Sequence, residues 1–146
     1  MKNVKLLLGL FATAAIFSSC GSDDDASGPA TNGALEGKWT YAKQGVMSGN
    51  NEVLFDYQND AECTTKDYVE YVAGGVLKDV DYYDTDCKSD TYTSSWTKSG
   101  NTLTEGTGED AIVYTIKELS STTLKVIDVE VVQGVTVTSV SVYTRQ

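Results

Sequence analysis

The segment AIVYTIKELSSTTLKVIDVEVVQGVTVTSVSVY, residues 111–143, decides the fold class of this chain. Within residues 111–117, Ile112, Tyr114 and Ile116 take alternate positions, so they share one side of an extended chain. A side-chain period of two is the period of a β-strand, whose successive residues point to opposite faces. Ser120-Ser121 then ends this strand. The segment therefore predicts an antiparallel sheet that is buried on one face.

The rest of the segment predicts two more strands, at residues 122–132 and 135–143. The alternation shifts phase at Val126-Ile127 in the first and between Val137 and Val140 in the second. An extra residue in one strand of a pair shifts the phase in this way and bends the sheet. We therefore expect a β-bulge in each of these two strands, where a barrel would bend.

The same pattern continues toward the N-terminus. The chain is 10% aromatic, with nine tyrosines, and has one proline, a composition typical of β proteins. Further strands are predicted at residues 37–46, 52–57, 66–73, 76–83, 91–98 and 102–105. Gly74-Gly75 provides a hairpin turn, and Trp96 is expected to face inward. We predict an all-β fold, a single up-and-down antiparallel β-barrel of about eight strands.

The charge balance limits the classes of partner. The sequence has 21 acidic and 11 basic residues, for a formal net charge of −10. All the acidic residues follow Cys20, whereas Lys2 and Lys5 precede it, so a chain that starts at Cys20 is more acidic still. A strongly negative surface repels phosphate, so we expect no nucleic-acid partner. Cations, neutral or apolar ligands and basic proteins remain permitted.

The first residues predict export. Two lysines precede an apolar run at residues 6–17, which has the pattern of a secretory signal and is too short to span a bilayer. Phe17-Ser18-Ser19-Cys20 resembles the lipobox of bacterial lipoproteins, in which the cysteine becomes the lipid-bearing N-terminus. The resemblance implies a signal peptide at residues 1–19, palmitate or similar acyl chains on Cys20, and firm membrane anchoring.

An acidic cluster follows the predicted lipidation site. Gly21-Ser22-Asp23-Asp24-Asp25 resembles the surface-export tag of lipoproteins in the Bacteroidetes group, and its simpler interpretation is a solvated linker. We expect residues 20–34 to form a flexible acidic tether and residues 35–146 to form the barrel domain. The resemblance implies an outer membrane lipoprotein, on the cell surface of a Gram-negative bacterium.

A family resemblance arises from both ends of the predicted barrel. Gly37-Lys38-Trp39 is similar to the Gly-x-Trp motif of lipocalins, and Arg145 lies on the last strand. In that family a late arginine packs over the tryptophan ring and closes one end of the barrel. The resemblance therefore implies that Trp39 and Arg145 form this pair.

The wider pattern resembles the lipocalin-like domain lipoproteins of Bacteroidetes. It covers nearly all of residues 35–146, and its residues are Leu35-Glu36-Gly37-Lys38-Trp39, Cys63 before Asp67-Tyr68-Val69-Glu70-Tyr71, Trp96 before Gly100-Asn101-x-Leu103, and Tyr114-x-Ile116 before Leu119 and Thr123-Leu124. The second and third motifs of true lipocalins are missing. The resemblance therefore implies a lipocalin-like barrel without implying a large ligand cavity.

Two cysteines remain after Cys20. Cys63 and Cys87 are an even pair in an exported protein, where oxidising conditions favour a disulfide. Closing this loop contributes about 3 to 4 kcal/mol in the chain-entropy model. A redox or metal pair is the alternative, but the chain has no Cys-x-x-Cys motif and no histidine.

The absence of histidine removes most catalytic and metal sites. It excludes the Ser-His-Asp and Cys-His nucleophiles and nearly all zinc sites, so we expect a non-enzymatic protein without cofactor or resident metal. Acidic residues are expected mainly in turns and on polar strand faces, where nothing marks two that converge. The stretch from Asp79 to Asp90 leaves two interpretations open, a solvated acidic hairpin end and a calcium loop.

Aromatic residues provide the only candidates for a binding pocket. Tyrosine combines an apolar body with a polar tip, which suits amphipathic or sugar-like ligands. The predicted pocket-lining residues are Tyr41, Tyr71, Tyr92, Trp96 and Tyr114. Two functions follow: a barrel that binds a small apolar or amphipathic ligand, or a filled barrel that acts as a protein- or glycan-binding adhesion module. The sequence leaves the ligand and the oligomeric state open.

Overall fold

The computed structural model describes residues 35–59 and 63–146, and this part of the chain forms nine strands. The strands are β1 Gly37–Ser48, β2 Asn51–Asp56, β3 Tyr68–Val72, β4 Val76–Tyr83, β5 Lys88–Ser99, β6 Thr102–Glu105, β7 Ile112–Leu119, β8 Thr123–Val132 and β9 Val135–Arg145. One turn of 3-10 helix, Gly108–Asp110, lies between β6 and β7. Within these residues no helix has the length and apolar character needed to cross a membrane.

The strands close into an antiparallel barrel. Each strand from β3 to β8 pairs with the next one along the chain. One edge of β1 pairs with β3, and the other edge of β1 pairs with β9. Eight strands form the closed ring. The ninth, β2, pairs with the part of β1 beyond its contact with β3, from Lys43 to Ser48. The predicted all-β antiparallel barrel is confirmed.

The hairpin of β1 and β2 contacts the outer wall of the barrel. Gly45 permits close approach of the β2 backbone, because a Cβ atom there would lie 1.9 Å from the backbone oxygen of Val53. The Lys125 ammonium on β8 lies 2.8 Å from the Glu52 carboxylate on β2 and ties the hairpin to the wall. A groove of about 320 Å³ remains between them, and Met47 is among its lining residues.

The predicted β-bulges in β8 and β9 are wrong. These two strands keep an unbroken register from Thr123 opposite Thr144 to Val132 opposite Val135. Register shifts occur instead in β1, between Tyr41 and Lys43, and in β7, between Ile116 and Glu118. The outer parts of β8 and β9 carry exposed valines on both faces, so no single buried face sets the phase of their sequence.

The core fills only one end of the barrel. We call the end where β1 begins and β9 ends the closed end, and the end where β8 turns into β9 the open end. Along the inner face of β8, Leu124 and Val126 are buried near the closed end, Asp128 is half-buried, and Glu130 is exposed toward the open end. The apolar core therefore packs the closed end, and the inner face becomes polar and accessible toward the open end.

Candidate functional site

The closed end is sealed around Trp39. Its ring is fully buried, and its Nε1 donates a hydrogen bond to the backbone oxygen of Leu35 at 2.7 Å. The Arg145 guanidinium lies 4.2 Å from the ring centroid and donates to the backbone oxygen of Glu36 at 2.8 Å. A Cβ atom on Gly37 would lie 2.8 Å from this guanidinium, so glycine leaves room for it. A ligand would therefore have to enter at the open end.

The five aromatic residues predicted to line a pocket occupy three different environments. Tyr71 and Trp96 are buried and pack edge to face at 5.6 Å, where they form the floor of the interior. Tyr41 and Tyr114 are half-buried and pack against the core from the side of the open end. Tyr92 is 62% exposed, although it lies opposite an inward-facing residue of β4.

Two carboxylates lie inside the barrel beside these tyrosines. The Tyr41 hydroxyl donates to Asp79 Oδ1 at 3.2 Å, and the Tyr71 hydroxyl donates to Glu105 Oε1 at 2.5 Å. Asp79 is on β4 and Glu105 is on β6, so the closure of the barrel brings together residues that are far apart in sequence. The interior therefore contains two tyrosine–carboxylate pairs.

Burial shifts the pKa values of these carboxyl groups upward. Desolvation is the largest cause for Asp79, together with repulsion from Asp81, and its pKa rises to about 6. Desolvation also raises the pKa of Glu105 to about 7, although the hydrogen bond from Tyr71 opposes the shift. The two groups therefore titrate near neutral pH, where carboxyl groups are ordinarily fully ionised.

Two further carboxylates extend this acidic lining. Asp128 and Glu130 share the inner face of β8, and with Asp79 and Glu105 they raise the pKa of the Tyr114 hydroxyl, after the larger effect of desolvation. We call these four residues the acidic belt. None of the four takes part in the ion pairs within 4 Å of the described residues, which are Lys43–Asp56, Lys78–Glu70, Lys88 with Asp84 and Asp86, and Lys125–Glu52. When they are ionised, the belt carboxylates therefore add negative charge to the interior that these ion pairs do not neutralise.

Three apolar residues at the mouth, Val46, Ile112 and Val137, form an apolar rim beside the acidic belt. Val46 on β1 and Ile112 on β7 are 42% and 45% exposed, and each lies opposite an inward-facing position of the neighbouring strand. Val137 on β9 lies opposite Glu130 and shares its face. The interior therefore has an aromatic floor, an acidic belt with tyrosines, and an apolar rim.

The open end is braced by a disulfide and a buried aspartate. Cys63 and Cys87 are bonded at 2.06 Å, so the predicted disulfide is confirmed. Asp67 is 3% exposed; its carboxylate accepts hydrogen bonds from the backbone N–H of Tyr82 at 2.6 Å and from the Tyr57 hydroxyl at 2.7 Å. These contacts join the segment before β3 to β4 through Tyr82 and to the end of β2 through Tyr57.

The acidic stretch from Asp79 to Asp90 divides between interior and surface. Asp79 faces the interior, whereas Asp84 and Asp86 lie at the exposed turn and pair with Lys88. No group of three or more metal-ligating side chains converges within residues 35–59 and 63–146. Cys20, the predicted lipidation site, lies outside the described residues.

The inward positions of the two interior carboxylates have a signal in the neighbouring sequence. Asp79 lies two residues after Leu77, and Glu105 lies two residues after Leu103; these leucines are 4% and 0% exposed. Because side chains two apart on a strand share a face, a buried leucine predicts an inward position for the residue two further on. We found no mark in the sequence for two acidic residues that converge, and these two leucines are such a mark for Asp79 and Glu105, whose carboxyl groups interact in the interior.

Comparison with known proteins gives one family and a set of similar folds. The family model described as Lipocalin-like domain matches residues 30–126. Bovine odorant binding protein in complex with its natural ligand is 18% identical to this chain, with a TM-score of 0.46; the alignment covers 84% of this chain and 77% of the bovine chain. Odorant Binding Protein OBP1 is 11% identical, with a TM-score of 0.48 and coverages of 81% and 75%. No curated protein matches the sequence.

Proposed function

Because the chain belongs to the lipocalin-like domain family, we propose that it is a non-enzymatic binding protein whose barrel takes up a small apolar or amphipathic ligand at its open end. The observation that carries the proposal is the uneven filling of the interior. Inner-facing residues are buried near Trp39 and become exposed toward Val46 and Ile112. A concave apolar surface with a few polar groups is the usual form of a small-molecule site.

The ligand proposal is tested by retention and by obstruction. The full-length chain is incubated with a lipid extract, repurified, and analysed by native mass spectrometry; we expect one retained small molecule per chain. Ser139 on β9 lies opposite Val46 and faces the interior of the barrel. Ser139→Trp should therefore fill the open end of the interior and abolish retention of the molecule. The neighbouring Thr138 lines the outer groove, so Thr138→Trp is the matched control and should retain the molecule.

Two results would contradict the ligand proposal. If the wild-type chain retains nothing, the filled-barrel alternative, a protein- or glycan-binding adhesion module of the cell envelope, becomes the better hypothesis. If Ser139→Trp retains the molecule as well as Thr138→Trp does, the ligand lies outside the barrel. Circular dichroism checks that each variant keeps its β-sheet content.

We further propose that this barrel is tethered to a membrane through lipid on Cys20. The support is the sequence Phe17-Ser18-Ser19-Cys20 after an apolar run. The described chain begins at the closed end, where Leu35 is buried and accepts a hydrogen bond from Trp39, so the tether would join the barrel at this end. Such an arrangement would leave the mouth accessible to ligand outside the membrane.

The anchoring proposal predicts a loss of membrane association in Cys20→Ala. A protein held by two or three acyl chains stays in the membrane fraction, whereas a protein without them is released. We expect the wild type in the membrane pellet and Cys20→Ala in the soluble fraction of the same cells. Cys63→Ala keeps Cys20 and is the matched cysteine control. Recovery of Cys20→Ala in the pellet would show that another segment anchors the chain.

A further inference from the structure

The acidic belt distinguishes this interior from a purely apolar one. Asp79 and Glu105 face the interior beside Tyr41 and Tyr71, where the proposed function puts the ligand. Burial of an ionised carboxylate without a cation is unfavourable, and a protein that keeps such carboxylates in a binding cavity gains from a positively charged ligand. The proposed function, which rests on family membership, puts the ligand in this interior.

We propose that the barrel selects ligands that carry a protonated amine, which Asp79 and Glu105 bind while the apolar part of the ligand lies toward the rim. The inference rests on the proposed function, since it names the ligand class of the same interior. An uncharged amphiphile of equal size would leave the two carboxylates without a cation. An anionic amphiphile would bring a like charge beside them.

The hydrogen bonds of the two carboxylates leave them able to accept a ligand. Each accepts a hydrogen bond from one hydroxyl, that of Tyr41 or of Tyr71, and Asp79 also accepts one from the backbone N–H of Val80. An ionised carboxylate has about four acceptor positions, so each retains acceptor capacity for an ammonium group, which has three donors. The tyrosine hydroxyls also fix the orientation of the carboxylates before the ligand arrives, which lowers the entropic cost of binding.

The rings beside the belt pack on one another. The Tyr41 ring stacks on the Tyr57 ring and packs at a tilt on the Tyr143 ring, each at 4.8 Å between centroids. These contacts hold the Tyr41 ring beside Asp79, where aromatic carbon offers the ligand an apolar surface next to the carboxylate. The apolar rim, which includes Val46 and Ile112, would then contact the apolar part of the ligand.

The test compares three ligands of one length and different head group. Octylamine, octan-1-ol and octanoate are titrated into the full-length chain by isothermal calorimetry at about pH 8, where a primary amine with a pKa near ~10.4 stays protonated. Charge-assisted hydrogen bonds predict that octylamine binds about tenfold to hundredfold more tightly than octan-1-ol. Octanoate should bind most weakly.

Matched variants separate the interior from the acidic surface. Asp79→Asn with Glu105→Gln should remove the preference, so that octylamine and octan-1-ol bind within about threefold of each other. Glu109→Gln with Asp110→Asn removes the same charge from an exposed turn and should keep the preference. An equal loss in both double variants would show general attraction to an acidic surface and overturn the proposal.

The pH dependence tests the proposal without a substitution, in case the interior variant does not fold. As pH rises from about 5.5 to about 8, Asp79 and Glu105 lose protons and become negative, so octylamine affinity should rise about tenfold. Octan-1-ol affinity should stay constant. Asp67 and Asp81 face Asp79, and the hydroxyls of Tyr41, Tyr71, Tyr114 and Tyr143 nearby stay protonated because their pKa values are raised.

The outcomes distinguish the two proposals. If octylamine and octan-1-ol bind equally, or if octylamine affinity is independent of pH, the amine inference is wrong and the proposed ligand-binding function stands. If none of the three compounds binds to the wild-type chain, the proposed function fails and the amine inference fails with it.

Discussion

The Trp39→Ala variant is expected to lose about 4 kcal/mol of its free energy of unfolding. The ring is 0% exposed, so its removal leaves a cavity that the surrounding strands fill only in part. The backbone oxygen of Leu35 loses the hydrogen bond from Nε1, and the Arg145 guanidinium loses the ring under it. Chemical denaturation followed by circular dichroism measures this loss.

Two companion variants locate the cause. Trp39→Phe keeps an aromatic face for Arg145 but loses the donor to Leu35, so its loss should be smaller, about 2 kcal/mol. Tyr92→Ala removes an aromatic ring that is 62% exposed and should cost less than about 1 kcal/mol. Equal losses in Trp39→Ala and Tyr92→Ala would refute the assignment of Trp39 as the main packing residue of the closed end.

Removal of the disulfide should have the second largest effect on stability. The Cys63→Ala, Cys87→Ala double variant is expected to lose about 3 kcal/mol, because opening a loop with a separation of 24 residues gives the unfolded chain more freedom. The midpoint of thermal unfolding should fall by roughly 10 °C for a domain of this size. Differential scanning calorimetry measures both quantities.

Reduction provides the control for the disulfide prediction. Dithiothreitol should lower the midpoint of the wild type to that of the double variant and leave the variant unchanged. A wild-type midpoint that does not respond to reduction, with the bond shown by mass spectrometry to be open, would mean that the contacts of Asp67 with Tyr57 and Tyr82 hold this end of the barrel without the covalent link.

Local patterns in the sequence were sufficient for the faces of the strands. Ile116 and Trp96 alternate with polar neighbours, and both are buried in the barrel. The disulfide was predicted from an even pair of cysteines in a chain whose first residues predict export. Gly37, Trp39 and Arg145 were linked only by family resemblance, and the structure has the guanidinium over the ring because closure of β1 against β9 aligns Trp39 with Arg145.

The alternation of side chains did not predict how far along the barrel axis each inward-facing residue lies. Tyr71 and Tyr92 were predicted as equivalent pocket residues, yet Tyr71 is 1% exposed and Tyr92 is 62% exposed. Both face inward, and they differ in the layer of the barrel that they occupy. That layer depends on the stagger of all the strands around the ring, including the register shifts in β1 and β7.

The period-2 alternation in the chain, its cysteine pair and its turn residues specify an antiparallel sheet with one buried face, because a strand sorts its side chains between two faces without help from distant residues. Which end of the barrel is filled, and which carboxylates meet inside it, depends on contacts between strands far apart in sequence. Asp79 and Glu105 come together beside Tyr41 and Tyr71 because the closed ring brings β4 and β6 to one interior. A pattern within one strand does not specify contacts between side chains of different strands.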